Sequence, residues 1–150
     1  AARGRDLARV LEGVYRLMPR VRFYATLDTL HYLARGGRVP RIASLAGSAL
    51  RVKPIITVTA GIPEPAGMCI TRRRAIRKIL EMMERDLRGG PLHVAVMHAL
   101  ALAEAQGLAA EISARFSPVE LFVTAFTPVM GSHSGPGVLG VAFYEEVEPS

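Results

Sequence analysis

Cysteine occurs once in these 150 residues, at Cys69, and tryptophan does not occur at all. A single thiol forbids an intramolecular disulfide and cannot build a cysteine metal cage. Set between Met68 and Ile70, it reads as a small buried apolar group and not as a nucleophile. An intracellular, cytoplasmic location is the default expectation, with no metal or cofactor. Aromatic residues make up 6%. They are too few, and not interleaved with the arginines, so no stacking platform for single strands is visible, and nucleic acid is not an expected partner. Lysine is nearly missing as well. Lys53 and Lys78 are the only two among 19 Lys and Arg, and the formal charge of +6 is carried by arginine. The long apolar run is also lacking: residues 92–103 are broken by His93 and His98, well short of the ~20 residues of a membrane span. No secretory leader pattern opens the chain. It begins at Ala1 without Met, so a piece of a longer protein is expected.

What is present is apolar. Half of the residues are hydrophobic and the mean hydropathy is positive. One domain over residues 1–150 is expected, burying roughly two-thirds of its unfolded surface. The apolar surplus implies an internal cavity for a hydrophobic ligand, or a face covered by another domain.

Periodicity orders the chain. Residues 6–18 space Leu7, Val10, Leu11, Val14 and Leu17 at helical intervals, and Pro19 stops them. Residues 21–27 alternate as a strand, and Asp28 caps a short helix over residues 29–34 that ends at Gly36-Gly37. A helix is predicted over residues 40–50, a strand over 53–59, a turn over 61–65 and a return strand over 67–71. A long helix over residues 71–87 buries Ile76, Ile79, Leu80, Met83 and Leu87. Then follow a strand over 92–98, an Ala-rich helix to Phe116, and strands over 120–126 and 138–145. Strands alternating with helices predict a two-layer α/β arrangement.

The chemistry concentrates in Gly131-Ser132-His133-Ser134-Gly135-Pro136-Gly137-Val138-Leu139-Gly140. So much glycine disfavours helix and lets backbone approach a ligand. His133 and Ser134 can both hydrogen-bond a carboxylic group, and the apolar flanks imply a ligand with a polar end and a greasy body. A Ser–His hydrolase fits poorly, because the serine is not in a Gly-x-Ser-x-Gly elbow and no acid lies nearby. A small esterase or acyltransferase nevertheless stands as the enzymatic alternative. Arg35-Gly36-Gly37-Arg38 is a helix cap flanked by two cations. Thr71-Arg72-Arg73-Arg74 sets guanidinium groups at a helix start, where anions are favoured, and Arg72 adjoins the strand end. These arginines also allow a module that docks an acidic partner. His93 and His98, five apart on one strand, face opposite sides and read as core or edge histidines.

Four motifs carry a resemblance. They are Asp28-Thr29-Leu30-His31-Tyr32-Leu33-Ala34-Arg35-Gly36-Gly37-Arg38, the stretch from Ser44-Leu45-Ala46-Gly47 to Lys53-Pro54-Ile55-Ile56, Thr71-Arg72-Arg73-Arg74-Ala75, and His133-Ser134-Gly135-Pro136-Gly137-Val138-Leu139-Gly140. In that order they resemble the C-terminal half of the DegV family. The resemblance implies an α/β (α+β) two-layer sandwich, with a mixed sheet of about six strands and helices on one face. It also implies a non-catalytic bacterial fatty-acid carrier that presents its ligand to a fatty acid kinase for phospholipid synthesis. The acyl tail would lie in an apolar tunnel walled by the region of residues 80–101. Its carboxyl would be held by His133, Ser134 and Gly135 with Arg72 close by, and Arg35 or Arg38 would face the kinase. Two departures stand out. Family members are twice as long, with an N-terminal half that completes the carboxylate site, so a missing domain or a second subunit is implied. The turn at residues 60–66 also lacks the family's usual Asp-Gly.

Overall fold

Asp6 starts the first helix by accepting the Arg9 backbone N–H at 2.8 Å, an N-cap that satisfies one of the orphan donors of the first turn. The structure, a computed structural model, describes Gly4, residues 6–35 and residues 52–146. Its elements are α1 (Leu7–Leu17), a 3-10 turn (Met18–Arg20), β1 (Arg22–Thr26), α2 (His31–Arg35), β2 (Lys53–Thr59), β3 (Ile62–Cys69) and α3 (Arg72–Asp86), followed by β4 (Leu92–His98), α4 (Leu102–Phe116), β5 (Glu120–Ala125), α5 (Pro128–Ser134) and β6 (Leu139–Glu145). The helix predicted over residues 40–50 lies outside the described residues, as do Arg38 and most of the second motif.

The strands form one six-stranded mixed sheet in the order β3-β2-β1-β6-β4-β5. All pairs are antiparallel except β4 with β5, which α4 connects, as a parallel pair requires. Alternation assigns the faces. In β4, Leu92, Val94 and Val96 are buried while His93, Ala95 and Met97 are half-buried. The buried set joins Leu139, Val141 and Phe143 of β6 and packs against Ile79, Leu80 and Met83 of α3 and Leu108 and Ile112 of α4. The two long helices therefore share one face. A smaller cluster of Ala25, Leu27, Leu30, Leu33, Ile56 and Val138 gathers α2 at one end of the sheet.

The turn between β2 and β3 departs from expectation. It is two residues long, Ala60 and Gly61, both with positive φ. This is the primed geometry whose twist matches a hairpin. Pro63 and Pro65, expected in the turn, sit in the ladder opposite Val58 and Ile56. An outer strand tolerates them because a missing N–H there costs no ladder bond. At the same end of the strands as this turn, the Glu145 carboxylate accepts the backbone N–H groups of Arg88, Gly89 and Gly90 at 2.7, 2.8 and 2.9 Å, fastening the α3–β4 turn to β6.

Tyr24 joins core to surface. Its hydroxyl donates to Asp86 and accepts from Arg85 at 3.3 Å. Burial first, then the bond to Asp86, raises the phenol above its ordinary value near 10. A folded-state value above the unfolded one gives stability that is complete below the unfolded value and is lost as pH rises through the folded one. Tyr24→Phe is expected to cost about 1 kcal/mol at neutral pH and to flatten the loss of stability on going above about pH 10. Denaturant titrations at neutral and alkaline pH measure both effects.

Candidate functional site

The directions of the strands bring the chemistry to one end of the sheet. The C-terminal ends of β1, β3, β4 and β5 meet the first residues of β2 and β6 there.

Arg72 occupies the centre of this end. Thr71 caps α3, its Oγ1 accepting the Arg74 N–H at 3.3 Å, so Arg72 is the first helical residue and points back toward the strands. Its Nε and Nη2 donate to the two oxygens of Glu104 at 3.2 and 3.0 Å. Nη2 also donates to the Gly137 carbonyl and Nη1 to the Thr26 carbonyl. Asp28 lies 3.8 Å from Nη1 and pairs with Lys53 at 2.8 Å. This fork matches the bidentate geometry only arginine provides. Arg72 thereby ties together β1, α4 and the Gly137 turn, and its donors are engaged within the protein. Beside it the Thr26 hydroxyl is buried without a partner among the described residues.

The glycine-rich segment is not the open loop its composition predicts. Thr127 caps α5 through Oγ1, with Pro128 at the first helical position, and the helix runs through Gly131, Ser132, His133 and Ser134. The Thr-Pro pair is a helix-start signal that the glycine count obscured. Ser134 is buried, and its Oγ donates to the Met130 carbonyl at 2.7 Å. The hydroxyl therefore does not point at His133. His133 is half-buried, without a hydrogen-bond partner among the described residues. Gly135 ends the helix at φ 84, ψ 170, a region essentially closed to other residues. A Cβ there would lie 2.3 Å from the Tyr32 ring, and one on Gly137 would lie 2.1 Å from the Asp28 carboxylate. Both glycines are required by close approach. Arg35 closes α2, and its side chain and Arg38 lie outside the described residues.

A broadly open apolar cavity of about 820 Å³ lies beside this turn. Leu100, Leu102, Phe126 and Pro136 form its greasy walls, with Gly131 and Ser132 contributed by α5. His133, Ser134 and Arg72 are not among its lining residues. The wall expected from residues 80–101 is mostly elsewhere: Leu80, Met82, Met83, Val94 and Val96 are packed in the main core. Two lining features escaped the sequence. His98 takes the Ala101 N–H on Nδ1 at 3.4 Å, which leaves Nε2 as the donor of the neutral ring. Leu100 adopts φ 55 and is 90% exposed. Leucine in left-handed backbone is sterically strained. The position of His98 at the end of a strand that feeds a parallel crossover was the available signal. Among the described residues, no group of three or more His, Cys, Asp or Glu is placed to hold a metal ion, and no helix is long and apolar enough to cross a membrane.

These features define a mixed-sheet α/β domain with an open apolar cavity at its strand ends. The chain belongs to the DegV family: the family model described as "Uncharacterised protein, DegV family" matches residues 1–146. It is 35% identical over 135 residues to Protein DegV of Bacillus subtilis, covering 89% of this chain and 48% of that protein. To a DegV domain-containing protein of Streptomyces coelicolor it is 39% identical over 119 residues, covering 79% and 42%. Among solved structures, a DegV family protein of Thermus thermophilus described by its fatty acid binding superposes with a TM-score of 0.89 at 27% identity, covering 97% of this chain and 52% of that one. DegV of Bacillus subtilis, described as a fatty acid binding protein, superposes with a TM-score of 0.79 at 32% identity, covering 94% and 50%. The chain thus spans about half the length of the relatives it matches.

Gly131, inside α5, and Gly135, which ends it, make opposite demands. Gly135→Ala is expected to destabilise the fold by about 1–3 kcal/mol through backbone strain, with added displacement of Tyr32. Gly131→Ala, where a Cβ meets nothing within 4 Å, is expected to be neutral or mildly stabilising. Thermal unfolding of both variants measures the contrast.

Proposed function

We propose that this chain binds a long-chain fatty acid in the cytoplasm without catalysing its conversion. The acyl tail lies in the apolar cavity and the carboxyl at the turn that follows α5. The observation that carries this reading is that cavity: about 820 Å³, apolar along its walls and polar only where His98, Thr127 and Ser132 reach it. Each methylene buried there contributes ~0.8 kcal/mol. The match to two structures described by fatty acid binding supports the same ligand class.

At the polar end, His133 and the Gly135 backbone contact the carboxyl. Ser134 accepts from a protonated acid, or swings its hydroxyl away from Met130 to donate. Arg72 stands behind them and holds the Gly137 turn in place. A further domain or a second subunit completes the head-group site. The carboxyl is then presented to a fatty acid kinase for phospholipid synthesis, with Arg35 and Arg38 on the partner side. A Ser134–His133 esterase is not favoured, because no hydrogen bond joins the two side chains among the described residues.

Native mass spectrometry of the purified chain is expected to show a bound fatty acid. Gly131→Leu projects a side chain toward the cavity from a position with room for it. It is expected to lower affinity for long acyl chains at least about tenfold, a change of ~1.4 kcal/mol, in a fluorescent fatty-acid displacement assay, with thermal stability retained. The proposal fails if no acyl ligand binds either to the chain or to its fusion with the unmatched half of Bacillus subtilis DegV.

A further inference from the structure

The two outer strands of the sheet are built differently. β3 is interrupted by Pro63 and Pro65 and by a register shift against β2. β5 has neither. Its ladder to β4 runs unbroken from Glu120 opposite His93 to Ala125 opposite His98, and Phe122, Val123 and Thr124 favour extended backbone. No described strand pairs with its other side, which leaves a row of backbone N–H and C=O groups facing outward. Side chains alternate along it: Glu120, Phe122 and Thr124 are exposed, while Leu121 and Val123 are half-buried and pack on the main core. The chain's positive charge is kept away from this edge. Between Arg115 and His133 the only charged residue is Glu120, and its carboxylate is bonded to the His93 ring of β4 at 2.9 Å. Val119, just before the strand, is 65% exposed.

We propose that β5 is a self-association edge: two copies of this chain pair β5 to β5, antiparallel, and join their sheets into one. In such a two-fold pair, side chains directly opposite share a face, so the axis must cross a residue that meets itself. Phe122 fits that place. With Phe122 on the axis the two rings meet, Leu121 faces Val123, Glu120 faces Thr124 and Val119 faces Ala125. Aromatic then opposes aromatic, aliphatic opposes aliphatic, and a hydroxyl opposes the carboxylate, with no charge facing its like. Moving the axis one residue either way sets Glu120 against Phe122 or Phe126. The strand is therefore complementary to itself in one register, which selects a second copy over the unrelated extended segment that an open edge also accepts. One strand pair is a small interface of the transient kind, so the expected dissociation constant is about 10 µM to 1 mM. Because the two outer edges are unlike, the pairing closes as a dimer. This assignment rests on the sheet and does not depend on the ligand of the cavity.

Sedimentation velocity of the 150-residue chain, at concentrations up to about 1 mM, tests it. A monomer–dimer equilibrium is expected, with hydrogen exchange over residues 119–125 slowing as the dimer forms. Phe122→Lys and Phe122→Glu each set like charges on the axis, and each is expected to weaken association at least about tenfold. An equimolar mixture of the two variants is expected to recover a heterodimer. Thr124→Lys, opposite Glu120, is expected to strengthen the pair and Thr124→Glu to weaken it, which checks the register without touching Phe122. Both positions are exposed, so the variants are expected to keep the parent's thermal midpoint. A chain that stays monomeric throughout overturns the proposal, and leaves the edge to an extended segment of another protein. Dimers that tolerate the Phe122 substitutions, or that leave residues 119–125 unprotected, assign association to another surface and overturn it as well. A mixture that recovers nothing overturns the axis, and species growing beyond the dimer overturn the closed two-fold pair.

Discussion

The guanidinium of Arg72 organises the end of the sheet where β1, β4 and β5 finish. Its bonds to Glu104, Gly137 and Thr26 join the first turn of α4, the turn before β6 and the end of β1, three segments that share no local sequence. A charged hydrogen bond among partly buried partners is stronger than a neutral one, and the fork gives direction as well as energy. The turn that Arg72 holds is one where Gly135 and Gly137 press against Tyr32 and Asp28. That contact, with the packing of Val138 against Leu30 and Leu33, keeps the backbone between α5 and β6 close to α2.

The cavity follows from this arrangement. Its walls come from the segments after β4 and β5 and from α5, and the Ala99 carbonyl accepts the Gly137 N–H while the Ala99 N–H is given to Val138. The site is thus lined by loops and a short helix but positioned by the rigid parallel pair β4–β5. Rigid strands carrying loops at their ends are a common way to combine precise placement with an adaptable surface.

Much of the fold was legible because period and punctuation agreed. The bounds of β2 and β4 coincide with their apolar runs, and α3 follows Thr71 as a capped amphipathic helix. Two places were misread for identifiable reasons. Pro63 and Pro65 look like turn formers, but an outer strand accepts them. Gly131 and the residues after it look like loop, but Thr127 and Pro128 start a helix and Gly135 ends it. The candidate site was legible only in part. Composition and motif identified the segment around His133, Ser134 and Gly135. The inward commitment of Ser134 and Arg72, the cavity role of His98 and the strained exposure of Leu100 depend on contacts between distant segments, which no local pattern encodes.

Pro63 and Pro65 also act beyond their own strand. Each removes a backbone donor from β3, the last strand on its side of the sheet among the described residues, and a strand so depleted cannot template an incoming one. The proline pair therefore serves as a terminator of sheet growth. It protects a chain half of whose residues are hydrophobic from assembling edge to edge on that side.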